Sequence, residues 1–246
     1  MSTSGLKAVD CFLSDRFLDP PGEGDAHFSE KLLRLSHSHF CYTPFEKIFK
    51  STVDWRPHER PVFGCFNNSA KISDDMLRLW HTLLVRVPGA KLLLKAWKPE
   101  LLQRRAISLG YRQEEIEVRP MTLDYIHEYM DMDIALDTFP YTGGGTTCEA
   151  LYMGTPVVTL AGTRHGTRFG LSLLENVGLG ELAANTPEEY VEKAAALASD
   201  GELLAALHGN LRRMMQNSSV MDGRSYVREV EAMYEEIWQE WLDGGE

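Results

Sequence analysis

Between Pro61 and Leu160 five short apolar runs alternate with four amphipathic ones, and that alternation restricts the fold more than any other feature of the chain. The apolar runs are PVFGCF (61–66), AKLLLKA (90–96), EIEVRP (115–120), DIALD (133–137) and PVVTL (156–160), which read as strands. The intervening segments, 74–87, 99–110, 122–131 and 146–154, read as helices. In the first of them Met76, Leu79, Trp80, Leu83 and Leu84 recur at i, i+3, i+4, i+7 and i+8, so one face is directed at a sheet. This β-α-β-α-β-α-β-α-β order predicts an α/β fold: a parallel sheet with helices on both faces.

The last third is read as helical throughout, in GTRFGLSLLENVG (166–178), TPEEYVEKAAALAS (186–199), LLAALHGNLRRMMQ (203–216) and GRSYVREVEAMYEEIWQEW (223–241). Thr186 as cap, Pro187 at the first helical position and Glu189 three residues after the cap fix one of these starts. The final helix gathers Tyr226, Val230, Met233, Tyr234, Ile237, Trp238 and Trp241 on one side and is expected to lie back across the domain as a packing helix. Residues 1–60 break the alternation. The stretches DPPGEGD (19–25) and STVDWRPHERP (51–61) flank a compact apolar piece there, so the expected division is an appendage at 1–60 and a main domain at 61–246.

Length and composition narrow the class. A chain of 246 residues with 43% hydrophobic and 25% charged residues buries one substantial core. A net charge of −11 disfavours general binding to nucleic acid or to anionic membranes, both of which require a basic surface. Cys11, Cys41, Cys65 and Cys148 show no metal or disulfide spacing, which fits a reducing compartment. No basic-then-apolar leader opens the chain and no apolar run approaches the ~20 residues of a membrane helix, so a cytoplasmic protein is expected.

In an open parallel sheet ligands bind beyond the carboxyl ends of the strands. Three loops fall there: NNSAKIS with Asn67, Asn68 and Lys71, MTLDY with Met121, Thr122 and Tyr125, and TGGGTTCE with Gly143, Gly144, Gly145, Thr146, Thr147 and Glu149. The glycines let backbone N–H groups approach an anion at a helix N-terminus, with the threonine hydroxyls as further donors; a glycine turn with a threonine cap is the alternative. Glu149 either relieves the helix dipole or binds ligand hydroxyls, and Lys71 either meets a diphosphate or is an idle surface lysine. His127 and His165 read as surface or core residues. A P-loop, a GxGxxG after the first strand, a Ser/His/Asp triad and HExxH are all absent from the sequence.

These residues together resemble the O-linked N-acetylglucosamine transferase family, with its bacterial-type and SPINDLY-like members most similar. The resemblance rests on FGCFNNSAKIS, LWHTLLVRVPGAKLLLK, DIALDTFPYTGGGTTCEALYMGTPVVTLAG and SLLENVGLGEL, with DCFLSDRFLDPPG, SEKLLRL and MYEEIW beyond them. It implies a Rossmann-like C-terminal lobe of a two-lobed GT-B glycosyltransferase, with residues 1–60 as a remnant of the N-terminal lobe and linker. By the same resemblance, Asn68 and Lys71 contact the nucleotide, with Lys71 stabilising the leaving diphosphate as the catalytic residue. Met121 and Thr122 hold the uracil, Gly144, Gly145 and Thr146 cradle the diphosphate beside Thr147, and Glu149 binds the ribose. Tyr125 aligns where many relatives carry a histidine, and His127 is two positions away.

The implied activity is inverting transfer from a UDP-sugar, expected to be UDP-N-acetylglucosamine, to Ser/Thr hydroxyls of proteins without a metal or other cofactor. The implied partners are the UDP-sugar, acceptor proteins and a separate N-terminal lobe or tetratricopeptide-repeat protein, with neither nucleic acid nor membrane among them. A non-catalytic nucleotide-sugar-binding or interaction module is the alternative, because residues 1–50 match only the end of the N-terminal lobe and no 34-residue repeat occurs in the sequence.

Overall fold

The computed structural model describes residues 3–244. Strands β1 (Cys11–Asp15) and β2 (Lys31–Leu35) pair in parallel as a sheet of their own, and a single turn, α1 (Glu46–Phe49), follows. Then come β3 (Val62–Cys65), α2 (Asp74–Arg86), β4 (Lys91–Ala96), α3 (Pro99–Ser108), β5 (Ile116–Pro120) and β6 (Ile134–Leu136). The chain continues through α4 (Gly145–Tyr152), β7 (Val157–Leu160), α5 (Phe169–Val177), β8 (Ala183–Ala184), α6 (Pro187–Ser199), α7 (Gly201–Gln216) and α8 (Gly223–Leu242).

Strands β3 to β8 form one parallel sheet in the order β5-β4-β3-β6-β7-β8. The chain therefore moves outward from β3 through β4 to β5, then returns to the other side of β3 with β6. Loops leaving β3 and β6 diverge to opposite faces at that reversal, which opens a crevice at their carboxyl ends. Gly64 at the centre of β3 lies opposite Leu93 and Ala135. A Cβ there would stand 2.5 Å from the Met132 sulfur, so a larger residue would require the buried Met132 side chain to move.

The helices follow from local chemistry. Ser73 accepts the Met76 N–H at 3.1 Å to start α2, and Thr186 accepts the Glu189 N–H at 3.1 Å to start α6. On α2, Met76, Leu77, Trp80, Leu83 and Leu84 are buried and Leu79 is only partly so. Trp80 donates to the Tyr190 hydroxyl of α6 at 3.1 Å, and Tyr190 donates to the Asp137 carbonyl at 3.0 Å. Two buried polar tips are thereby satisfied directly beneath the crevice.

Three elements differ from the sequence expectation. Segment 122–131 is not an α-helix but a 3-10 stretch at Ile126–Asp131. Lys95 pairs with Glu128 and Arg119 reaches both Glu128 and Asp131, so acids of this segment are drawn to the ends of β4 and β5. The two-residue β8, Ala183–Ala184, adds a sixth strand that has no apolar run to announce it. Helix α8 buries no residue: Tyr234, Trp238 and Trp241 are each about 60% exposed or more. The rest of the expected face, Tyr226, Val230, Met233 and Ile237, is half-buried, and polar contacts accompany it, Lys31 with Glu240 at 2.7 Å and the Ser36 N–H with Glu229 at 2.6 Å. Among the described residues no helix is long and apolar enough to cross a membrane.

Candidate functional site

The loop after β3 carries a cation into the crevice. Asn68 is exposed and its side-chain oxygen accepts the Ala70 N–H at 3.0 Å, which caps the single 3-10 turn Ser69–Lys71. That turn presents Lys71, half-buried, whose ammonium donates to the Thr142 carbonyl at 3.0 Å and lies 3.9 Å from the centre of the Tyr141 ring. No carboxylate pairs with it among the described residues. Burial lowers its pKa and the charge of Asp137 works against that shift.

The loop after β6 supplies donors without acceptors. Gly144 is the N-cap of α4 and no side chain caps the helix, so the threonine-cap alternative is not what the chain adopts. The first backbone bond of the helix is Cys148 N–H to the Gly144 carbonyl at 3.0 Å. Among the described residues the N–H groups of Gly144, Gly145, Thr146 and Thr147 have no acceptor, leaving a positive helix end aimed into the crevice. A Cβ on Gly145 would meet nothing within 4 Å, so this side of the loop is open. Gly143 is enclosed: a Cβ there would lie 2.5 Å from the Thr147 hydroxyl and 2.9 Å from both the Asn67 and Thr146 side-chain oxygens.

Glu149, one turn into α4, is buried and accepts from the Tyr125 hydroxyl at 2.7 Å and the Tyr129 hydroxyl at 3.2 Å. Burial raises its pKa against these two bonds. Burial and the adjacent Glu149 charge also hold both tyrosine hydroxyls protonated. A carboxylate oriented by two donors keeps lone pairs for ligand hydroxyls. Tyr125 thus contacts the carboxylate from the position where a histidine was expected, while His127 is exposed. His165 is a core residue, its Nδ1 2.6 Å from Asp19.

Met121 and Thr122 stand farther along the same edge, beyond β5. Met121 donates its N–H to the Ala96 carbonyl at 3.2 Å, and the exposed Thr122 donates to Glu128 at 3.3 Å. No hydrogen bond links them to Lys71 or to the glycine loop. The structure therefore gathers Lys71, Gly144, Gly145, Thr146, Thr147, Tyr125 and Glu149 around the reversal point, with Met121 and Thr122 as a separate outlying pair.

Two residues absent from the predicted set organise this gathering. Asn67, buried, accepts from the Thr146 hydroxyl and donates to Asp137 at 2.9 Å and Thr138 at 3.0 Å. Asp137 accepts from the Gly143 N–H at 2.7 Å. A cavity of about 20 Å³ between this loop and the sheet, lined in part by Asn67, Asp137, Thr146 and Thr147, has room for one water. The signal for both residues was weak: an asparagine beside another asparagine, and an acid closing an apolar strand.

Comparison with known proteins gives the family and the fold. Residues 50–230 match glycosyl transferase family 41. A tomato (Solanum lycopersicum) protein described as "Probable UDP-N-acetylglucosamine--peptide N-acetylglucosaminyltransferase SPINDLY" is 38% identical over 265 residues, covering 99% of this chain and 27% of the relative. The chain thus spans about a quarter of the length of the curated relatives it matches. Among solved structures, the Thermobaculum terrenum O-GlcNAc transferase mutant K341M superposes with a TM-score of 0.86 at 37% identity, over 97% of this chain and 47% of that one. WaaG, a glycosyltransferase involved in lipopolysaccharide biosynthesis, shares the fold at 15% identity, with a TM-score of 0.56 over 93% of this chain and 64% of that one. The sheet is that of a GT-B glycosyltransferase lobe, and the chain belongs to glycosyl transferase family 41.

Proposed function

We propose that this chain carries the donor-binding half of a protein O-glycosyltransferase and takes UDP-N-acetylglucosamine as donor for inverting transfer to Ser/Thr hydroxyls. The observation that carries the reading is the unpaired, half-buried Lys71 facing an uncapped helix N-terminus in one crevice. Such a pairing suits a diphosphate: the ammonium supplies full charge and the amides of Gly144, Gly145 and Thr146 supply oriented donors. In the proposed mode Lys71 stabilises the diphosphate as it leaves, with no metal assigned to that role. Glu149 accepts the ribose hydroxyls while Tyr125 and Tyr129 hold it, Thr147 lines the loop, and Met121 and Thr122 meet the uracil. Asn68 contributes through the turn that presents Lys71.

Titration calorimetry with UDP tests the assignment. Binding by the wild-type chain and at least a roughly tenfold loss in Lys71→Ala are expected, since a charge-assisted contact of this kind is worth ~1.5–3 kcal/mol. Equal affinity in the two proteins would remove Lys71 from the site. Glutamine at Glu149 is expected to weaken UDP binding while leaving inorganic pyrophosphate binding unchanged, because only the nucleoside carries the ribose. A parallel loss for both ligands would reassign Glu149 to the loop's structure.

A further inference from the structure

Asp137 lies directly beneath the crevice, 2% exposed. One carboxylate oxygen accepts from the Asn67 amide at 2.9 Å, the Thr138 N–H at 2.9 Å and the Gly143 N–H at 2.7 Å. The other accepts from the Thr159 hydroxyl at 2.8 Å. Helix α5 closes over it so tightly that a Cβ on Gly170 would stand 2.6 Å from that second oxygen. Asn67, held from below in this way, turns its own oxygen to the Thr146 hydroxyl. The carboxylate thereby fixes both flanks of the anion loop, Gly143 on one side and Thr146 on the other.

A buried anion under an anion site is unfavourable unless a cation faces both. Lys71 reaches the same loop: its ammonium donates to the Thr142 carbonyl, one residue from the Gly143 N–H that Asp137 accepts. We propose that Asp137 is the positioning residue of this site: its hydrogen bonds set Gly143 and, through Asn67, Thr146, and its negative charge is the counter-charge of the half-buried Lys71 ammonium. The proposal rests on the donor-binding reading of the crevice for its functional consequence, and on the free chain alone for the coupling between the two residues.

The other groups facing the pair carry no competing charge. Burial pushes the Cys65 thiol of β3 up to about 12 and raises the Tyr190 hydroxyl of α6 well above its ordinary range, so both are neutral. Tyr141 offers Lys71 only its ring face, and α5 contributes Gly170, which has no side chain. Burial pushes Asp137 up to about 6 against its hydrogen bonds, which leaves it ionised at neutral pH. Its charge is the one that raises the Lys71 pKa most.

Asp137→Asn tests the proposal, because an amide keeps the shape and can keep the bonds from Gly143, Thr138 and Asn67 while removing the charge. The Lys71 ammonium is followed by heteronuclear NMR in the ligand-free chain, with the signal assigned by Lys71→Met. In Asp137→Asn it is expected to titrate at lower pH than in wild type, whereas in Asn67→Ala it is expected not to move. UDP-N-acetylglucosamine affinity is expected to drop severalfold in Asn67→Ala, through the freed Thr146 hydroxyl. An unchanged Lys71 titration in Asp137→Asn overturns the proposal. If Asp137→Asn does not fold, the coupling is read in reverse: Lys71→Met should raise the pH at which the Asp137 carboxyl titrates, and an unmoved carboxyl overturns it equally. A shifted Lys71 titration in a chain that binds no UDP-sugar leaves the coupling standing and removes the donor-binding reading instead.

Discussion

Gly143 and Gly145 are two residues apart, yet an added methyl group meets opposite surroundings at each. At Gly143 it would press on Thr147, Asn67 and Thr146 together, and at Gly145 it would enter open space. Gly143→Ala is therefore expected to cost about 1–3 kcal/mol of stability, as overpacking does, and to weaken UDP binding as the loop shifts. Gly145→Ala is expected to leave the melting temperature within a degree or two of wild type and to weaken only the ligand; thermal unfolding beside calorimetry separates the two. Glu149 carries a pH signature. Because burial raises its pKa, it takes up a proton on acidification before an exposed glutamate would, and then loses an acceptor for ribose hydroxyls. Affinity for UDP-N-acetylglucosamine, whose diphosphate diester keeps its charge, should begin to fall on acidification while exposed glutamates are still ionised, and Glu149→Gln should flatten that fall. The residues named from sequence were those whose chemistry is local: a lysine in a loop, a glycine run, an acid one turn into a helix. Asn67 was named only as a loop residue and Asp137 only as a strand end, because their roles consist of contacts with residues 70 or more positions away or across a turn, which no local pattern carries.

Elements were legible where hydrophobic periodicity was strong, and the five predicted strands all appear within a residue or two of their expected limits. Periodicity shows that a helix has an apolar side but not what covers it, so Trp238 and Trp241 read as packing residues and are exposed. Ala183–Ala184 was invisible because two alanines have no pattern, and 122–131 was misread because its acids pair with Lys95 and Arg119 of neighbouring strands, contacts that a helical period does not carry. The segment 51–61 illustrates the same limit. Trp55 stacks on His208 of α7 at 3.8 Å, and Trp55, His58 and the Val62 N–H all converge on Asp133 at the opposite end of the sheet from the crevice. His208 bonds the Asp133 carbonyl at 2.8 Å, and burial lowers its pKa to about 4. The unfolded chain takes up that proton first, so this contribution to stability is whole above the ordinary histidine value of 6.5 and declines as pH falls toward about 4. The expected loss is on the order of 3 kcal/mol at most. His208→Phe, which keeps the stacking face, should show a shallower decline in urea-unfolding free energy between those pH values; an identical decline would mean that other groups produce it.

At the scale of the whole molecule two sheets of unequal standing are joined at one end. The six-stranded sheet is covered on both faces, whereas β1 and β2 pair only with each other, and a two-stranded sheet is marginal in water. Helix α8 adds little to β2, since its contacts there include an exposed ion pair of the kind worth ~0–1 kcal/mol and none of its side chains is more than half-buried. What fastens β1 is its carboxyl end. Asp15 accepts from the His39 N–H at 2.8 Å and the Ser172 hydroxyl of α5 at 2.6 Å, and Asp19 accepts from Ser14 at 2.5 Å and meets His165 at 2.6 Å. Arg168 crosses the same junction to the Phe17 carbonyl at 2.7 Å. Burial follows this anchoring, from half-buried Cys11 to fully buried Ser14 and Asp15. Amide hydrogen exchange should therefore show strong protection in β3, β4, β6 and β7, weak protection in α8, and a gradient rising along β1 from Cys11 to Asp15. Asp15→Ala should flatten that gradient and lower protection in β2 while leaving β4 unchanged, because only the junction is lost. Uniform protection across both sheets, or a loss in β4 equal to that in β2, would show that the two sheets open as one cooperative unit.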